Sequence, residues 1–478
     1  MTKYSDSSQE LSGLQKFMPL VGLGFWQAWW MCSSTTAVVN GPFYYGIGAV
    51  DWILYATLIG YAIIALLAHK FAPYSSRPHM FTFVGVGGFA GTLLISIATH
   101  TNLTLAVGMV LEASGAVILA FTNALLLLMW AERWVTLSEG SVGRHLVVSF
   151  AFAFVLYFLV SALPLIAGII LNAAFAAISA WALAISQSHP TRSDPVAPVE
   201  LRPAPIAGVL VSIAVFSFAF GCIQRLVIPF TIHMQIQFYT MLIAFGCLVI
   251  MATIMLVKRS VSDPFTFAYP IVPALVCGML ICVMVSPENV FWGNGLVVFA
   301  TYCLDMFMMF TAADLSYRSR KPVAILLGVA IIVARITSTF GMQLSFRWVL
   351  SPDIDIATIH IIVLVLACIV VLVGTALFTQ PQLRAIFSPS SKPHVPDLDE
   401  RCDMIGASAG LSARELEIMH YLARGTSFAK ISEALGIAQG TVKHHASNTY
   451  RKLGVYDRQG LIELTMAEAE TEKPPAAA

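Results

Sequence analysis

The residues best suited to chemistry form two groups, one near the C-terminus and one inside apolar stretches. Five basic side chains fall between residues 439 and 453, where no Asp or Glu occurs. Such a cluster can bind nucleic acid, because cationic side chains neutralise phosphates and a long donor can also reach O6 and N7 of guanine. The five are Lys443, His444, His445, Arg451 and Lys452.

The sequence around this cluster predicts four short helices. Ser412-Ala413-Arg414-Glu415 has the form of a capping box, which begins a helix, and Gly425 ends that helix. A second helix covers Phe428 to Leu435, a glycine turn follows, and a third covers Gln439 to Leu453; a fourth starts at Asp457. Two short helices joined by a tight turn, the second one basic, are typical of a helix-turn-helix DNA-binding domain. A small helical bundle with a solvated basic face is the alternative.

Residues 411–464 resemble the LuxR-type helix-turn-helix domain along their whole length. In that family the recognition helix usually starts with Ser, where this chain has Ala438, and we expect the missing cap to cost about 1 kcal/mol of local helix stability. The resemblance rests on Leu411-Ser412-x-Arg414-Glu415, Gly425-x-Ser427, Ile431 to Leu435, Thr441-Val442-Lys443-x-His445 and Lys452-Leu453-Gly454-Val455 followed by Arg458.

The resemblance implies which side chains meet double-stranded promoter DNA. It places Lys443, His444 and Ser447 against base edges, although simple solvent exposure remains an alternative for His444 and Ser447. Operators with two half-sites one helical turn apart would be bound by a homodimer. The side chains that the resemblance places against phosphates are Thr441, His445, Arg451 and Lys452.

Three charged residues lie inside apolar stretches, where a charge is costly unless it is paired or faces a cavity. Asp305 and Arg335 fall near the middle of neighbouring stretches, so an ion pair between them is one interpretation. The other is a polar ligand site that includes Glu112 and Asp305. Three tryptophans in another stretch are suited to packing or interfacial contacts, or alternatively to stacking on a ring-shaped ligand. They are Trp26, Trp29 and Trp30.

Composition excludes a soluble protein. The 478 residues are 58% hydrophobic and 11% charged, with a mean hydropathy of +0.79 and a net charge of +1. Seven of the eight cysteines lie in apolar stretches without a Cys-x-x-Cys pattern, which indicates buried thiols and neither a metal site nor disulfides. The chain has no Gly-rich phosphate loop and no His-Glu-x-x-His motif, so we expect neither an enzyme nor a cofactor.

Twelve apolar runs are each long enough to cross a bilayer. The predicted fold class is therefore all-α, a polytopic bundle of six plus six spans followed by the small four-helix domain. We divide the chain into an N-terminal segment 1–16, a membrane domain 17–379, a tether 380–409, a DNA-binding domain 410–466 and a disordered tail 467–478. The membrane domain consists of halves 17–186 and 206–379 around a central loop 187–205. Its spans lie near 17–39, 50–69, 80–99, 104–130, 146–162, 164–186, 206–222, 236–257, 265–286, 291–312, 322–344 and 357–379.

Two sets of six spans joined by a long loop look like the major facilitator architecture, in topology alone. The Gly-x-x-x-Asp-Arg signature of that family is absent between spans two and three, which counts against active transport. Lys and Arg in short loops place both termini in the cytoplasm, because only Arg225 and Arg347 fall on the opposite side. The cytoplasmic set is Lys3, Lys16, Lys70, Arg77, Arg133, Arg144, Arg192, Arg202, Lys258, Arg259, Arg318, Arg320 and Lys321.

These observations predict a one-component transcriptional regulator in the cytoplasmic membrane. Its membrane domain would bind a small-molecule inducer, and its tail would bind promoter DNA. A transporter with a fused DNA-binding signalling domain is the first alternative. A membrane anchor without a ligand is the second.

Overall fold

The computed structural model describes residues 13–35, 49–101, 103–137, 141–186, 201, 203–231, 234–258, 265–350, 355–379 and 398–471, which are helical and contain no β-strand. The chain divides into two compact units, Met1–Ser388 and Pro389–Ala478, and each is described by itself. Several predicted segments lie outside the described residues: 1–12, most of the central loop, the tether up to 397 and the tail beyond 471.

The first unit contains twelve helices of the bundle in its described residues. The ninth is preceded by a single helical turn, Phe265–Ala268, and the two are separated by Pro270, which cannot donate a backbone hydrogen bond. The helices are α1 (Gly13–Thr35), α2 (Ala49–Phe71), α3 (Pro78–His100), α4 (Leu105–Val135), α5 (Ser141–Ala162), α6 (Leu165–Ile185), α7 (Pro203–Thr231), α8 (Met234–Lys258), α9 (Ile271–Met284), α10 (Phe291–Ser319), α11 (Val323–Leu350) and α12 (Ile356–Leu377).

The packing of the first six helices recurs in the last six. Helix α1 packs on α5 and α6, α2 on α4, and α3 on α4 and α6; correspondingly, α7 packs on α11 and α12, α8 on α10, and α9 on α10 and α12. The halves meet where α2 contacts α11 and α5 contacts α8. This repetition is the arrangement that two sets of six spans predict for a duplicated unit.

Two helices occupy the centre of this unit. Eleven of the described helices are long and apolar enough to cross a membrane. Helix α1, which has 23 residues, packs among them. The most apolar stretches of α4 and α10 are 72% and 78% buried, against 22 to 50% for the other nine. Side chains on α4 and α10 therefore form much of the interior of the bundle.

Glycines let the repeated helix pairs approach closely, as is common in membrane bundles. A Cβ atom at Gly221 of α7 would lie 2.0 Å from the carbonyl oxygen of Ser338 on α11. From the other side, a Cβ at Gly341 would lie 2.4 Å from the carbonyl oxygen of Phe218. The two backbones touch at both points, so any larger residue there would separate α7 from α11.

All eight cysteines are free thiols in the structure. Four are buried and Cys247 and Cys282 are half-buried, but Cys277 and Cys368 are exposed on the surface of the first unit. An apolar stretch places a thiol in a span but does not say which face of the helix it occupies, so the predicted burial is wrong for these two.

The second unit contains five helices in its described residues, 398–471. Its helices are α13 (Leu398–Ser408), α14 (Ala413–Ala423), α15 (Phe428–Leu435), α16 (Gln439–Leu453) and α17 (Arg458–Thr471). The last four are the predicted helices, but α17 continues to Thr471, so residues 467–471 are helical and not part of a disordered tail as predicted. One core joins them, built from Ile418, Met419, Leu422, Ile431, Val442, Ala446 and Leu461, all 0 to 1% exposed.

Helix α13 lies in residues that the sequence analysis places in the tether, so the folded domain begins earlier than predicted. Cys402 is 0% exposed and Ile405 7% exposed, and both belong to the core of the domain. Polar contacts hold the same helix: Arg401 donates to the carbonyl oxygen of Thr465 at 3.0 Å, and Asp399 pairs with Arg424. Helix α13 is thus part of the folded second unit.

Candidate DNA-binding surface and membrane cavity

Helices α15 and α16 form the helix-turn-helix. The Ser427 side chain caps the start of α15, and Gly436 ends it in the left-handed region at φ +63°. The backbone N–H of Ile437 donates to the Ser432 carbonyl at 3.2 Å, and the Ser432 hydroxyl donates to the Ile437 carbonyl at 2.6 Å. These two hydrogen bonds fix the direction of α16 relative to α15. No side-chain cap begins α16 at Ala438, as the sequence predicts.

Helix α16 has one buried face and one exposed face. Val442, Ala446 and Thr449 are 0 to 1% exposed and pack on the rest of the domain. Their spacing of four and three residues is that of one helical face. Among the predicted DNA contacts, His445 is half-buried, whereas Thr441, Lys443, His444, Ser447 and Arg451 are exposed. The domain therefore presents these five side chains to solvent on one helix.

Asn448 connects two of these side chains, and sequence reasoning missed it. Its side-chain amide lies 3.4 Å from Nε2 of His444, and its Oδ1 accepts a hydrogen bond from Arg451 at 3.2 Å. The signal was available, because residues four before and three after a position share its helical face. His444, Asn448 and Arg451 thus form a hydrogen-bonded row along α16.

Lys452 lies at the surface of the domain, with its side chain 34% exposed, but its ammonium group is paired within the domain. Its ammonium group lies 2.7 Å from Oε2 of Glu415 and 3.1 Å from the Gly410 carbonyl oxygen. Glu415 also accepts a hydrogen bond from the backbone N–H of Ser412 at 2.8 Å and completes the predicted capping box. This placement differs from the phosphate contact that the resemblance implies for Lys452. The lysine instead ties α16 to the start of α14.

We expect this ion pair to make the stability of the domain depend on pH. The Lys452 ammonium and the Ser412 N–H lower the pKa of Glu415 from about 4.5 to about 2. Because the folded-state pKa is the lower one, the stabilisation is present above about pH 5 and is lost as pH falls toward 2. Glu415→Gln should lower the free energy of unfolding of residues 389–478 by about 1 to 3 kcal/mol at pH 7 and flatten this acid dependence, as measured by urea unfolding.

Glu417→Gln is the matched control on the same helix. Its carboxylate is 47% exposed and pairs with the half-buried Arg414, so its loss should cost less than about 1 kcal/mol. Equal effects of the two substitutions at pH 7 would contradict the structural role of Glu415.

Two further arginines of the resemblance also hold the fold. Arg414 donates to the Leu435 carbonyl oxygen at the end of α15, at 3.3 Å, and Arg458 donates to the Leu422 carbonyl oxygen near the end of α14, at 3.2 Å. Helix C-termini leave unpaired carbonyl groups and favour cations. These arginines therefore stabilise the ends of α15 and α14. They do not take part in the exposed face of α16.

The first unit contains a cavity at its centre. Helices α1, α2, α4, α10 and α11 each contribute to its wall. In this conformation it is about large enough for a water molecule, so a larger ligand requires the helices to separate. The lining residues are Trp26, Gln27, Trp30, Tyr61, Leu127, Asp305, Met308, Met309, Leu327, Ile331 and Arg335.

Two of the three predicted intramembrane charges meet at this cavity. Asp305 and Arg335 both line it, near the middle of α10 and α11. They do not form an ion pair within 4 Å in the part of the chain that the structure describes. Instead, the Arg335 guanidinium carbon lies 5.3 Å from the ring centroid of Trp30, a cation–π contact.

Glu112 is not brought to the cavity. It is half-buried on α4, fifteen positions before Leu127, which is the residue of that helix in the cavity wall. A helix rises 1.5 Å per residue, so about 22 Å separates the two levels. The structure thus separates Glu112 from Asp305, and a ligand small enough for this cavity would not contact both.

The three tryptophans of α1 have different roles. Trp29 is 0% exposed and donates to the Thr92 hydroxyl at 2.7 Å, which is a packing role. Trp26 and Trp30 line the cavity, and Trp26 also donates to the Asn123 carbonyl oxygen at 3.4 Å. Two of the three rings are therefore available beside a ligand.

Comparison with known proteins identifies the second unit. Residues 409–465 match the family described as bacterial regulatory proteins, luxR family. The chain is 41% identical over 64 residues to the transcriptional activator protein YukR of Yersinia ruckeri, and 41% identical over 58 residues to the probable transcriptional regulatory protein NarL of Mycobacterium tuberculosis. These matches cover 13% and 12% of this chain and only 28% and 27% of the two relatives. The C-terminal unit contains a LuxR-type helix-turn-helix domain.

Solved structures identify the fold of the first unit. A bacterial homologue of the iron transporter ferroportin, in an outward-facing state with soaked iron, aligns with a TM-score of 0.52 at 11% identity. The major facilitator superfamily transporter FucP, in its outward conformation, aligns with a TM-score of 0.50 at 14% identity. The alignments cover 76% and 75% of this chain and 98% of each structure. The membrane unit has a major-facilitator-like fold.

Proposed function

We propose that this protein is a one-component transcriptional regulator embedded in the cytoplasmic membrane. Its membrane unit binds a small-molecule inducer, and its C-terminal domain binds promoter DNA. The observation that supports this best is the exposed face of α16, which offers Lys443, His444 and Arg451 on a helix without acidic residues. That face follows a helix-turn-helix turn, in the position from which a recognition helix enters the major groove.

The DNA contacts divide by chemistry. Lys443, His444 and Ser447 would read base edges, since Lys443 can donate to O6 and N7 of guanine. Thr441, His445 and Arg451 would bind phosphates and contribute affinity without sequence preference. Lys452 is engaged by Glu415, so we assign it to the fold and remove it from the phosphate contacts.

Lys443→Ala is expected to weaken binding of residues 389–478 to their specific site by about 1 to 3 kcal/mol. The reason is that a base contact is lost while the fold keeps its core, because Lys443 is exposed. Fluorescence anisotropy with the specific and a scrambled duplex, over a series of salt concentrations, measures the effect. A small loss that is equal on both duplexes would make Lys443 a phosphate contact.

Lys452→Ala is the contrasting variant in the same helix. Because it leaves Glu415 without its cationic partner, it should lower the stability of the domain. At a temperature where both variants are folded, its affinity for the specific duplex should change less than that of Lys443→Ala.

The proposed orientation places both termini in the cytoplasm. The loops on the proposed cytoplasmic side carry thirteen Lys and Arg residues, and those on the opposite side carry two, which supports this orientation. A reporter that is active only in the cytoplasm should therefore work when fused at Pro195 or after Ala478, and an export-dependent reporter should work in the loop 40–49. Export of the C-terminal fusion would contradict the proposal, because the domain could not then reach DNA.

We further propose that the protein binds DNA as a homodimer. Two domains on half-sites one helical turn apart give more specificity than one domain. The tether that the sequence predicts between the membrane domain and the DNA-binding domain would let each DNA-binding domain reach its own half-site. Footprinting of the full-length protein should therefore protect two neighbouring half-sites.

A transporter with a fused signalling domain is the second candidate, and the major-facilitator-like fold favours it. Fold alone does not establish transport, since one fold serves many functions. Uptake of a labelled inducer by proteoliposomes that contain the purified protein would establish it. No uptake of a compound that does change target transcription would favour a sensor.

A further inference from the structure

Within the described part of the bundle, the two opposite charges of the cavity lack hydrogen-bonded partners. Among the described residues, no hydrogen bond or ion pair reaches the Asp305 carboxylate or the Arg335 guanidinium, apart from the Trp30 face over which Arg335 lies. Ionised groups inside a membrane protein are costly unless they are paired or face a polar cavity. Both charges face the same cavity here, and they remain more than 4 Å apart.

We propose that the cavity binds a zwitterionic small molecule of the amino-acid class, with its ammonium group on Asp305 and its carboxylate on Arg335. This inference rests on the proposed ligand-sensing function and gives it a substrate class. A zwitterion offers one charge of each sign, so it satisfies both residues at once. An organic cation would pair with Asp305 but be repelled by Arg335, and an organic anion would pair with Arg335 but be repelled by Asp305.

The rest of the wall indicates an apolar side chain on that molecule. Trp26 and Tyr61 are 3% and 2% exposed, and Met308 and Met309 are each 4% exposed. Aromatic rings and thioethers provide dispersion contacts and favour a flat ring. Guanidinium and carboxylate can form two parallel hydrogen bonds, which would orient the carboxylate end of the ligand at Arg335. An aromatic amino acid such as tryptophan therefore fits the chemistry of the wall.

The test compares three probes that share an indole ring and differ in which charged groups they carry. L-Tryptophan has both charges, tryptamine has only the ammonium group, and indole-3-propionate has only the carboxylate. Isothermal titration calorimetry of the full-length protein in nanodiscs should give an affinity for L-tryptophan at least about tenfold higher than for either analogue. Asp305→Asn should abolish the preference for L-tryptophan over indole-3-propionate. Arg335→Gln should abolish its preference over tryptamine.

Asp314→Asn is the matched control, because Asp314 lies on α10 but outside the cavity lining, near Arg318. It should bind all three probes as the unmodified protein does. Failure of L-tryptophan, L-phenylalanine and L-leucine to bind overturns the proposal, and so does equal affinity for L-tryptophan and one of its analogues. DNA binding by the same nanodisc preparation distinguishes these outcomes from a failure of the regulator itself.

Discussion

A fragment that begins at Ala409, where the family match begins, should be far less stable than one that begins at Pro389. The shorter fragment lacks α13, whose Cys402 and Ile405 fill the core of the domain. It also loses the contacts of Asp399 and Asp403 with His420, at 3.1 and 2.9 Å. Loss of one large buried aliphatic side chain typically costs 2 to 5 kcal/mol, so we expect the free energy of unfolding to fall by more than about 3 kcal/mol. Urea unfolding followed by circular dichroism measures it.

Single substitutions locate this effect within the helix. Ile405→Ala in the longer fragment should cost about 2 to 4 kcal/mol, because Ile405 is 7% exposed. Ala407→Ser, an exposed position of the same helix, should change stability by less than about 0.5 kcal/mol. If the fragments from 389 and 409 unfold at the same urea concentration, α13 is not part of the cooperative domain.

The second large effect concerns ligand response. Asp305→Asn should abolish inducer-dependent change in target transcription while leaving membrane insertion and DNA binding intact. A ligand shifts an equilibrium only through its different affinity for two conformations. A larger ligand can enter only if the helices around the cavity separate. The Asp305 carboxylate that contacts the ligand would therefore give the separated conformation its higher ligand affinity. Transcript measurement over a range of inducer concentrations shows the effect.

Asp314→Asn serves again as the control and should respond as the unmodified protein does. The sequence alone groups Glu112 with Asp305, whereas the structure places them at different levels. We therefore expect Glu112→Gln to retain the response. A full response of the Asp305→Asn variant would mean that sensing lies elsewhere in the chain.

Local signals explain why the DNA-binding domain could be predicted in such detail. The capping box at Ser412 and Glu415 forms as expected, and glycines at 425, 436 and 454 adopt positive φ at or just after the helix ends. Each of these features depends on residues within a few positions of one another. Val442 and Thr449 share one face of α16, as their seven-residue spacing indicates, and both are fully buried.

The parts that could not be predicted depend on contacts between distant residues. Lys452 looks like a phosphate ligand in its own helix, and only the packing of α16 on α14 brings it to Glu415. Helix α13 has few apolar residues, so its stripe of Leu398, Cys402 and Ile405 is hard to distinguish from a polar tether. The cavity combines five helices from both halves of the bundle, and no sequence period indicates which residues converge there.

We propose that one chain combines a membrane unit with a sequence-specific DNA-binding domain. The most direct measurement is selection of random double-stranded DNA by the full-length protein in nanodiscs, with Lys443→Ala in parallel. We expect enrichment of one sequence made of two half-sites about 10 base pairs apart, with enrichment of that sequence strongly reduced for Lys443→Ala. Recovery of DNA without any shared sequence, at the same level for both proteins, would contradict the claim.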